Sequence, residues 1–241
     1  MPAQYRRYAA AALIYAAGFA YILLRWDAIP DPVPIHIGPT GEADGFAPKT
    51  LLSTTLLMIV GVVLSAVMPL FLPPGSLARH TIEVPADGAL PFSETAARRV
   101  EKLCDASADV VSKMLLAMAA LFAVMNTSMV VPDVNLPFWL EIALWVGFII
   151  YVVVIGMRVT SKKDGIEPDA EEQARNELLR YQGGMGTYSA LNDPMAAAVL
   201  PSNPGKIAVN TAHAPGKRYL RRVVVGIALI PIVCVALSFA V

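Results

Sequence analysis

The stretch IPDPVPIHIGPTGEADGF, residues 29–46, gathers several side chains that could do chemistry. His36, Glu42 and Asp44 lie within nine residues of one another. An imidazole with two carboxylates is a set of groups that can bind a metal ion or move a proton near neutral pH. The local alternative is that His36 donates to a backbone carbonyl and that Asp44 caps the turn before Phe46. The glycine-rich setting favours these local roles, so we predict no metal site and no cofactor.

Prolines give the same stretch a defined shape. Three of its four prolines, Pro30, Pro32 and Pro34, lie within residues 29–37. Each proline fixes its own φ and restricts the residue before it, so we expect residues 29–37 to be extended. Alternation along an extended chain puts Pro34 and His36 on one side and Val33, Ile35 and Ile37 on the other. A short loop with a fixed shape usually binds something or docks onto its own protein.

We therefore predict that this loop binds a ligand or a protein partner. Its glycines allow tight turns, and Asp44 with Lys49 forms at most a surface ion pair of little energy. The predicted binding residues are Pro30, Pro34, His36, Gly41, Glu42, Asp44, Gly45, Phe46 and Lys49.

The rest of the chain has the composition of a membrane protein. Of its 241 residues 56% are hydrophobic and only 16% are charged, and the mean hydropathy is +0.57. An average soluble domain has about 25% charged residues. Five apolar segments reach the roughly 20 residues that a helix needs to cross a bilayer. They are 8–24, 51–72, 114–131, 136–157 and 223–241. Acidic and basic residues balance at 19 each, which predicts no nucleic-acid partner.

Basic residues predict how the chain crosses the membrane. With the N-terminus in the cytoplasm, 17 of the 19 Lys and Arg residues fall on the cytoplasmic side, and only Arg25 and Lys49 fall outside. An excess of Lys and Arg marks cytoplasmic segments. We therefore predict five spans in a bacterial inner membrane, N-terminus in and C-terminus out. The proline-rich loop then folds back over the outer ends of the first two spans.

Two polar side chains are candidates inside the spans. Glu141 lies near the outer end of the fourth span, and an ionisable group within a span is a functional candidate. Its position is explained equally well if its carboxylate extends to the nearby membrane–water interface. Asn126 lies toward the outer end of the third span and can hydrogen-bond to a neighbouring helix. Cys104 lies in a polar stretch, whereas we expect Cys234 to be buried in an apolar one, so we predict no disulfide between them.

The fold class predicted from these features is an all-α membrane protein with a small α+β cytoplasmic insertion. Ser93 is a plausible N-cap for a helix that runs into the third span, and 168–181 reads as a second polar helix. Short strands are predicted at 81–84 and on both sides of a turn within 195–213. The predicted divisions are a two-span domain at 1–72 with its loop at 25–50, a linker with an amphipathic helix at 73–113, two spans at 114–158, the insertion at 159–222 and the last span at 223–241.

The loop resembles that of a bacterial membrane family, the domain of unknown function 1648. The residues that carry the resemblance are Pro30, Val33, Pro34, His36, Gly41, Asp44, Gly45, Phe46 and Lys49. The family domain comprises two spans and the loop between them, and here it corresponds to about residues 8–70. In SdpI-type immunity proteins this domain forms the N-terminal part, so the resemblance implies an N-terminal scaffold with an outward loop. Their second membrane domain, with its own motif, has no counterpart in this sequence.

The stretch GTYSALNDPMAAAVLPSNPGKIAVNTAHAPGK resembles a small cytoplasmic domain, the domain of unknown function 5808, often joined to that loop family. The residues that carry this second resemblance are Asn192, Asp193, Pro194, Val199, Gly205 and Asn210. The aromatic residues usual in that domain are missing here.

The sequence predicts a binding protein rather than an enzyme. It has no nucleophile elbow, P-loop, zinc motif or matched carboxylate pair, and five spans do not divide into the repeated halves of a transporter. One interpretation is a sensor or immunity-like receptor whose outer loop binds an extracellular ligand. The alternative is an accessory subunit of a larger membrane complex. The small-residue-rich first span, AAAALIYAAGFA, suits close packing with a partner or in a homodimer.

Overall fold

The computed structural model describes residues 2–160, 165–182 and 186–240, and most of this part of the chain is helical. The helices are α1 (Ala3–Leu24), α2 (Leu51–Val67), α3 (Glu94–Val130), α4 (Phe138–Thr160), α5 (Ala170–Leu178) and α6 (Ala214–Ala240). The strands are β1 (Val33–Ile37), β2 (Ala43–Ala47), β3 (Thr187–Tyr188), β4 (Ala197–Val199) and β5 (Ile207–Asn210). The mostly helical fold with small sheets agrees with the predicted class.

Five helical segments of the described residues are long and apolar enough to cross a membrane, and the second of them extends past the end of α2. They are Ala3–Leu24, Leu51–Leu77, Glu94–Val130, Phe138–Met157 and Ala214–Leu237. By length and composition the chain is therefore a multi-pass membrane protein, as predicted. The third helix begins far before its apolar part because the Ser93 hydroxyl accepts from the N–H of Ala96 and caps the first turn, also as predicted.

The chain forms two compact units. The first comprises 1–68, 111–154 and 229–241, and the second comprises 69–110 and 155–228. The core of the first unit is built from apolar side chains of α1, α2 and α3, including Tyr15, Met58 and Phe122. Inside it α2 is kinked at Thr55, whose φ of −125° and ψ of 15° are not helical.

The second unit contains a three-stranded sheet in the order β3-β5-β4. Strand β3 is parallel to β5, and β4 is antiparallel to it. Val100 and Cys104 of α3 pack against Ala197 and Val209 of the sheet, because a sheet of three short strands needs a helix to cover its apolar face. The strand–turn–strand prediction is thus confirmed, whereas β3 was not predicted.

Two predictions for the second unit were wrong in part. The predicted strand at 81–84 reduces to one bridge between Thr81 and Met195. Helix α5 begins after the predicted start because Asp169 accepts from the N–H of Glu172 as its N-cap, and it ends at Leu178, three residues before the predicted end. Residues 161–164 and 183–185 of the predicted insertion lie outside the described residues.

The N-cap of α5 also joins two helices of the second unit. Burial is the largest influence on the Asp169 carboxyl and raises its pKa, but hydrogen bonds outweigh it. They come from the N–H groups of Glu172 and Thr95 and from the hydroxyls of Ser93 and Thr95. The net effect lowers the pKa of Asp169 below its usual value, so the charged form is the one that this contact stabilises.

Candidate functional site

The proline-rich loop folds into a β-hairpin with one buried and one exposed face. Strands β1 and β2 pair antiparallel, with Val33 opposite Ala47 and Pro34 opposite Phe46. Val33 and Ala47 are buried, whereas Phe46 keeps 55% of its surface exposed. In the first strand Val33 is buried and His36 is exposed, as the predicted alternation requires, whereas Pro34, Ile35 and Ile37 are all half-buried and the register shifts on both sides of His36. We call Pro34, His36, Asp44 and Phe46, which share the outward side, the hairpin face.

The two polar residues of the hairpin face bind each other. His36 Nδ1 and Asp44 Oδ1 form a hydrogen bond across the strands, and the side chains remain 69% and 54% exposed. The predicted partner of His36, a backbone carbonyl, is therefore wrong. A carboxylate that accepts from Nδ1 leaves Nε2 as the second hydrogen-bonding atom of the ring. That atom accepts a hydrogen bond in the neutral ring and donates one in the charged ring.

Glycines let this pair lie directly on the backbone. A Cβ at Gly38 would be 2.7 Å from Asp44 Oδ2, and one at Gly45 would be 2.9 Å from the Cβ of His36. Cβ atoms do not approach other heavy atoms so closely without displacing them. Gly38 and Gly45 therefore leave the room that the pair occupies, which gives Gly45 a structural reason.

The turn of the hairpin is docked on the start of α4. Gly41 has a φ of +86°, and a Cβ there would lie 2.8 Å from Cγ of Phe138. The turn is closed by the Gly38 N–H, which donates to the Glu42 carbonyl at 2.8 Å, while the Glu42 side chain is exposed. Among the described residues no group of three His, Cys, Asp or Glu side chains could hold a metal ion, so Glu42 does not complete a site with His36 and Asp44.

The base of the hairpin is closed by Lys49. Its ammonium donates to the Ile29 carbonyl at 2.8 Å and lies 5.2 Å from the centroid of the Trp26 ring, and its backbone N–H donates to Asp31 Oδ1 at 3.1 Å. The suggested ion pair with Asp44 is therefore replaced by contacts that shape the loop. Pro30, one residue after Ile29, is exposed and lies outside the hairpin face.

Asn126 joins α3 to the kink in α2. Its Nδ2 donates to the Thr54 carbonyl at 2.8 Å, and its Oδ1 accepts from the Leu57 N–H at 3.2 Å. The side chain is fully buried. A kink at Thr55 interrupts the regular helical hydrogen bonds, and the carboxamide binds one donor and one acceptor beside it. The predicted role in helix–helix hydrogen bonding is confirmed.

Glu141 binds inside its own unit. Its Oε1 accepts from the Ser128 hydroxyl at 2.8 Å, and the Ser128 oxygen accepts from the Leu136 N–H at 2.8 Å. Arg25 and Asp133 add an ion pair between the start of the loop and the connection from α3 to α4. Glu141 is half-buried, and these contacts make it part of the scaffold that carries the hairpin.

The second unit holds a buried polar centre that the sequence did not predict. Arg175 donates to both carboxylate oxygens of Asp193, at 2.7 and 2.8 Å, and the two side chains are 2% and 0% exposed. The Tyr188 hydroxyl donates to the same carboxylate at 2.8 Å. Burial raises the pKa of Tyr188 well above its usual value, and the charge of Asp193 adds to this. The burial of Arg175 could not be predicted from the sequence, because a charged residue on a short polar helix is expected to be exposed.

Comparison with known proteins identifies the domain that carries the hairpin. Residues 13–62 match the family model described as Domain of unknown function (DUF1648), which confirms the resemblance drawn from the loop motif. The matched range begins in α1, contains the whole hairpin and ends in α2. No curated protein and no solved structure matches the chain. The resemblances to the 5808 domain and to immunity proteins stay predictions.

Proposed function

We propose that this multi-pass membrane protein, whose residues 13–62 form a DUF1648 domain, is a non-enzymatic receptor that binds an extracellular ligand or partner through its first loop. The observation that carries the proposal is the hairpin face. It combines the His36–Asp44 pair with an exposed aromatic ring, Phe46, on a loop held at both its turn and its base.

The chemistry of the hairpin face favours binding over a purely structural role. An exposed aromatic ring next to an oriented polar group is the composition of an interface hot spot, where one end of the contact is apolar and the other is hydrogen-bonded. Phe46 would take an apolar group of the partner, and Nε2 of His36 would bind a donor or an acceptor. Because the hairpin is already ordered, binding costs little conformational entropy.

The receptor proposal requires the hairpin to be outside the cell. The distribution of basic residues supports an orientation with the N-terminus in the cytoplasm and the C-terminus outside a bacterial inner membrane. We expect Thr40→Cys to react with a membrane-impermeant maleimide on intact cells and Ser202→Cys to react only after lysis. Cys104 is buried but Cys234 is exposed on α6, contrary to our expectation, so the labelling needs a Cys234→Ala background. Reaction of Ser202→Cys in intact cells would reverse the orientation.

Ligand binding is tested by a pull-down from native membranes in mild detergent, followed by mass spectrometry. The variants are His36→Ala with Asp44→Ala, and separately Phe46→Ala, all of which remove groups of the hairpin face. Asp27→Ala is the matched control, since Asp27 is an exposed acid of the same loop outside the hairpin face. We expect a component that co-purifies with the wild type and with the control to be lost from the double variant at equal membrane level. Equal recovery from the double variant would rule out the hairpin face as the binding site.

The alternative function, an accessory subunit of a membrane complex, is favoured by the exposure of two spans. Only 11% of the apolar window of α4 and 6% of that of α6 are buried, against 39% for α3. Such faces contact lipid or the helices of a partner. Membrane proteins recovered in a fixed ratio with the chain, and unaffected by changes in the hairpin face, would support the subunit. Loss of the co-purifying partner from the variants of the hairpin face would support the receptor.

A further inference from the structure

A basic cavity lies in the second unit at the beginning of α6. It has a volume of about 280 Å³. Its lining includes Ser76, His80, Pro215, Arg218, Tyr219 and Arg222. Two arginines, an imidazole and two hydroxyls thus line one cavity. The proposed function of the hairpin does not use any of these residues.

One arginine of the cavity is fixed in place by carbonyl oxygens. Arg222 donates through Nε to the Leu70 carbonyl at 3.1 Å and through Nη2 to the Leu72 carbonyl at 2.5 Å, and its guanidinium lies 5.3 Å from the Tyr219 ring centroid. The Tyr219 hydroxyl is itself held by the Phe71 carbonyl at 2.7 Å. Carbonyl oxygens orient the guanidinium but do not neutralise its charge. Arg222 is therefore a preorganised cation with further N–H groups to donate.

The second arginine lies one helical turn earlier. Arg218 is exposed, and neither it nor Arg222 forms an ion pair with a carboxylate within residues 2–160, 165–182 and 186–240. Side chains four residues apart on a helix lie on the same face. Two uncompensated guanidinium groups facing one cavity favour an anion with several acceptor oxygens, and a phosphate fits this geometry through bidentate hydrogen bonds.

The sequence around the cavity indicates where that phosphate comes from. Residues 217–222 of α6 contain four basic side chains, and the helix becomes apolar from Val223 onward within its candidate span. The carbonyls that hold Arg222 belong to the end of the second candidate span, Leu51–Leu77. The cavity therefore lies where two spans reach the polar edge of a bilayer. Clusters of four or more basic residues next to a span are typical of binding sites for anionic lipids.

We propose that this cavity binds the phosphate of an anionic phospholipid headgroup. Arg218 and Arg222 hold the phosphate oxygens, while His80 and Ser76 supply hydrogen bonds from the facing segment. The net positive charge of the cavity selects a lipid with a net negative headgroup over a zwitterionic one. Arg218 is the residue to change, since Arg222 also supports the fold through its carbonyl contacts.

The test is native mass spectrometry of the full-length chain in detergent, titrated with phosphatidylglycerol and with phosphatidylcholine of the same acyl chains. We expect one phosphatidylglycerol to bind more tightly than phosphatidylcholine. Arg218→Gln should weaken phosphatidylglycerol binding about fivefold, the effect of removing one basic residue close to an anionic headgroup. The matched control is Arg221→Gln, which removes the same charge from the same helix but from a residue that does not line the cavity.

The outcomes separate the cavity from a general basic surface. A larger loss with Arg218→Gln than with Arg221→Gln supports the proposal. Equal losses overturn it, because they assign the binding to overall charge. A third arm adds inorganic phosphate to the lipid-free chain. Saturable phosphate binding that Arg218→Gln weakens, without any preference for phosphatidylglycerol, assigns the cavity to a soluble phosphate and overturns the lipid proposal. Equal affinity for the two lipids overturns it as well.

Discussion

A methyl group at Gly41 should release the hairpin from its scaffold. Gly41 has a φ of +86° and packs against Phe138 at the first residue of α4. Gly41→Ala therefore meets two separate penalties, one in the backbone and one in packing. The substitution leaves all four residues of the hairpin face unchanged, so its effect measures the docking of the turn alone.

The two penalties can be estimated separately. A non-glycine residue in the left-handed region costs about 1–2 kcal/mol. The added Cβ would lie 2.8 Å from Cγ and 3.0 Å from Cβ of Phe138, and a rotamer change of Phe138 leaves its Cβ in place. Overpacking of this kind costs about 1–3 kcal/mol. Together they amount to about 2–5 kcal/mol, and each 1.4 kcal/mol corresponds to a factor of ten in the opening equilibrium of the hairpin.

Hydrogen exchange of the chain in nanodiscs, followed by mass spectrometry of peptides from residues 36–46, measures this opening. We expect Gly41→Ala to exchange at least about 30-fold faster there than the wild type. Gly147→Ala is the matched control, since Gly147 lies in α4 with nothing within 4 Å of its added Cβ. It should leave the exchange of the hairpin unchanged.

A second variant separates the two penalties. In a Phe138→Ala background the clash with the ring atoms disappears, while the 3.0 Å contact with the Cβ of residue 138 remains. Gly41→Ala should therefore cost less there than in the wild type, and the effects of the two substitutions should be less than additive. Wild-type exchange in Gly41→Ala would refute the docking of the turn on α4. Strict additivity with Phe138→Ala would refute the contact while leaving the backbone penalty in place.

Three further predictions concern buried or capping polar groups. Asn126→Ala should destabilise the protein by about 1–3 kcal/mol in reversible unfolding in bicelles, since two hydrogen bonds at the α2 kink are lost; an effect below 0.5 kcal/mol would contradict this. Arg175→Met should cost about 3–5 kcal/mol in thermal or denaturant unfolding, because Asp193 stays buried without its partner, whereas the exposed Arg180→Met should change little. The pKa of Asp169 is lowered on folding, so its stabilisation is fully present above the unfolded value of 3.8 and is lost as pH falls through the folded pKa. The difference in unfolding free energy between the wild type and Asp169→Asn should therefore be constant well above pH 3.8 and shrink as the pH falls below 3.8.

Local patterns in the sequence predicted the spans and one strand of the hairpin but not its partner. The prolines and the alternation around Pro34 and His36 are local signals, and the structure follows them at Val33 and His36. The second strand, ADGFA at 43–47, contains no β-branched residue and has low strand propensity. It forms because the first strand, the glycines at the turn and the clamp at Lys49 hold it in register. Pairing of this kind is not visible in the composition of the strand itself.

A buried polar residue could be predicted from the sequence where it stands out among apolar neighbours. Asn126 is conspicuous in an apolar helix, and its role in helix–helix hydrogen bonding was predicted. Its partner was not, because the kink at Thr55 has neither a proline nor a glycine to mark it. Arg175 is inconspicuous on a polar helix, and its burial depends on Asp193, which is distant in sequence. A charged pair of this type can be found only once the fold brings its members together.

The contacts of the first unit set what the proposed receptor function requires of the helices. The turn of the hairpin rests on α4 at Phe138, and its base continues into α2, which Asn126 ties to α3. A ligand on the hairpin face can shift the helices only by binding one arrangement of these contacts more tightly than another. If the hairpin is rigid in both states, we expect the displacement at the Thr55 kink, the one non-helical position within α2. Ligand-dependent hydrogen exchange around Thr55, lost in Asn126→Ala, would therefore indicate signalling, whereas exchange changes confined to the hairpin would indicate a binding subunit.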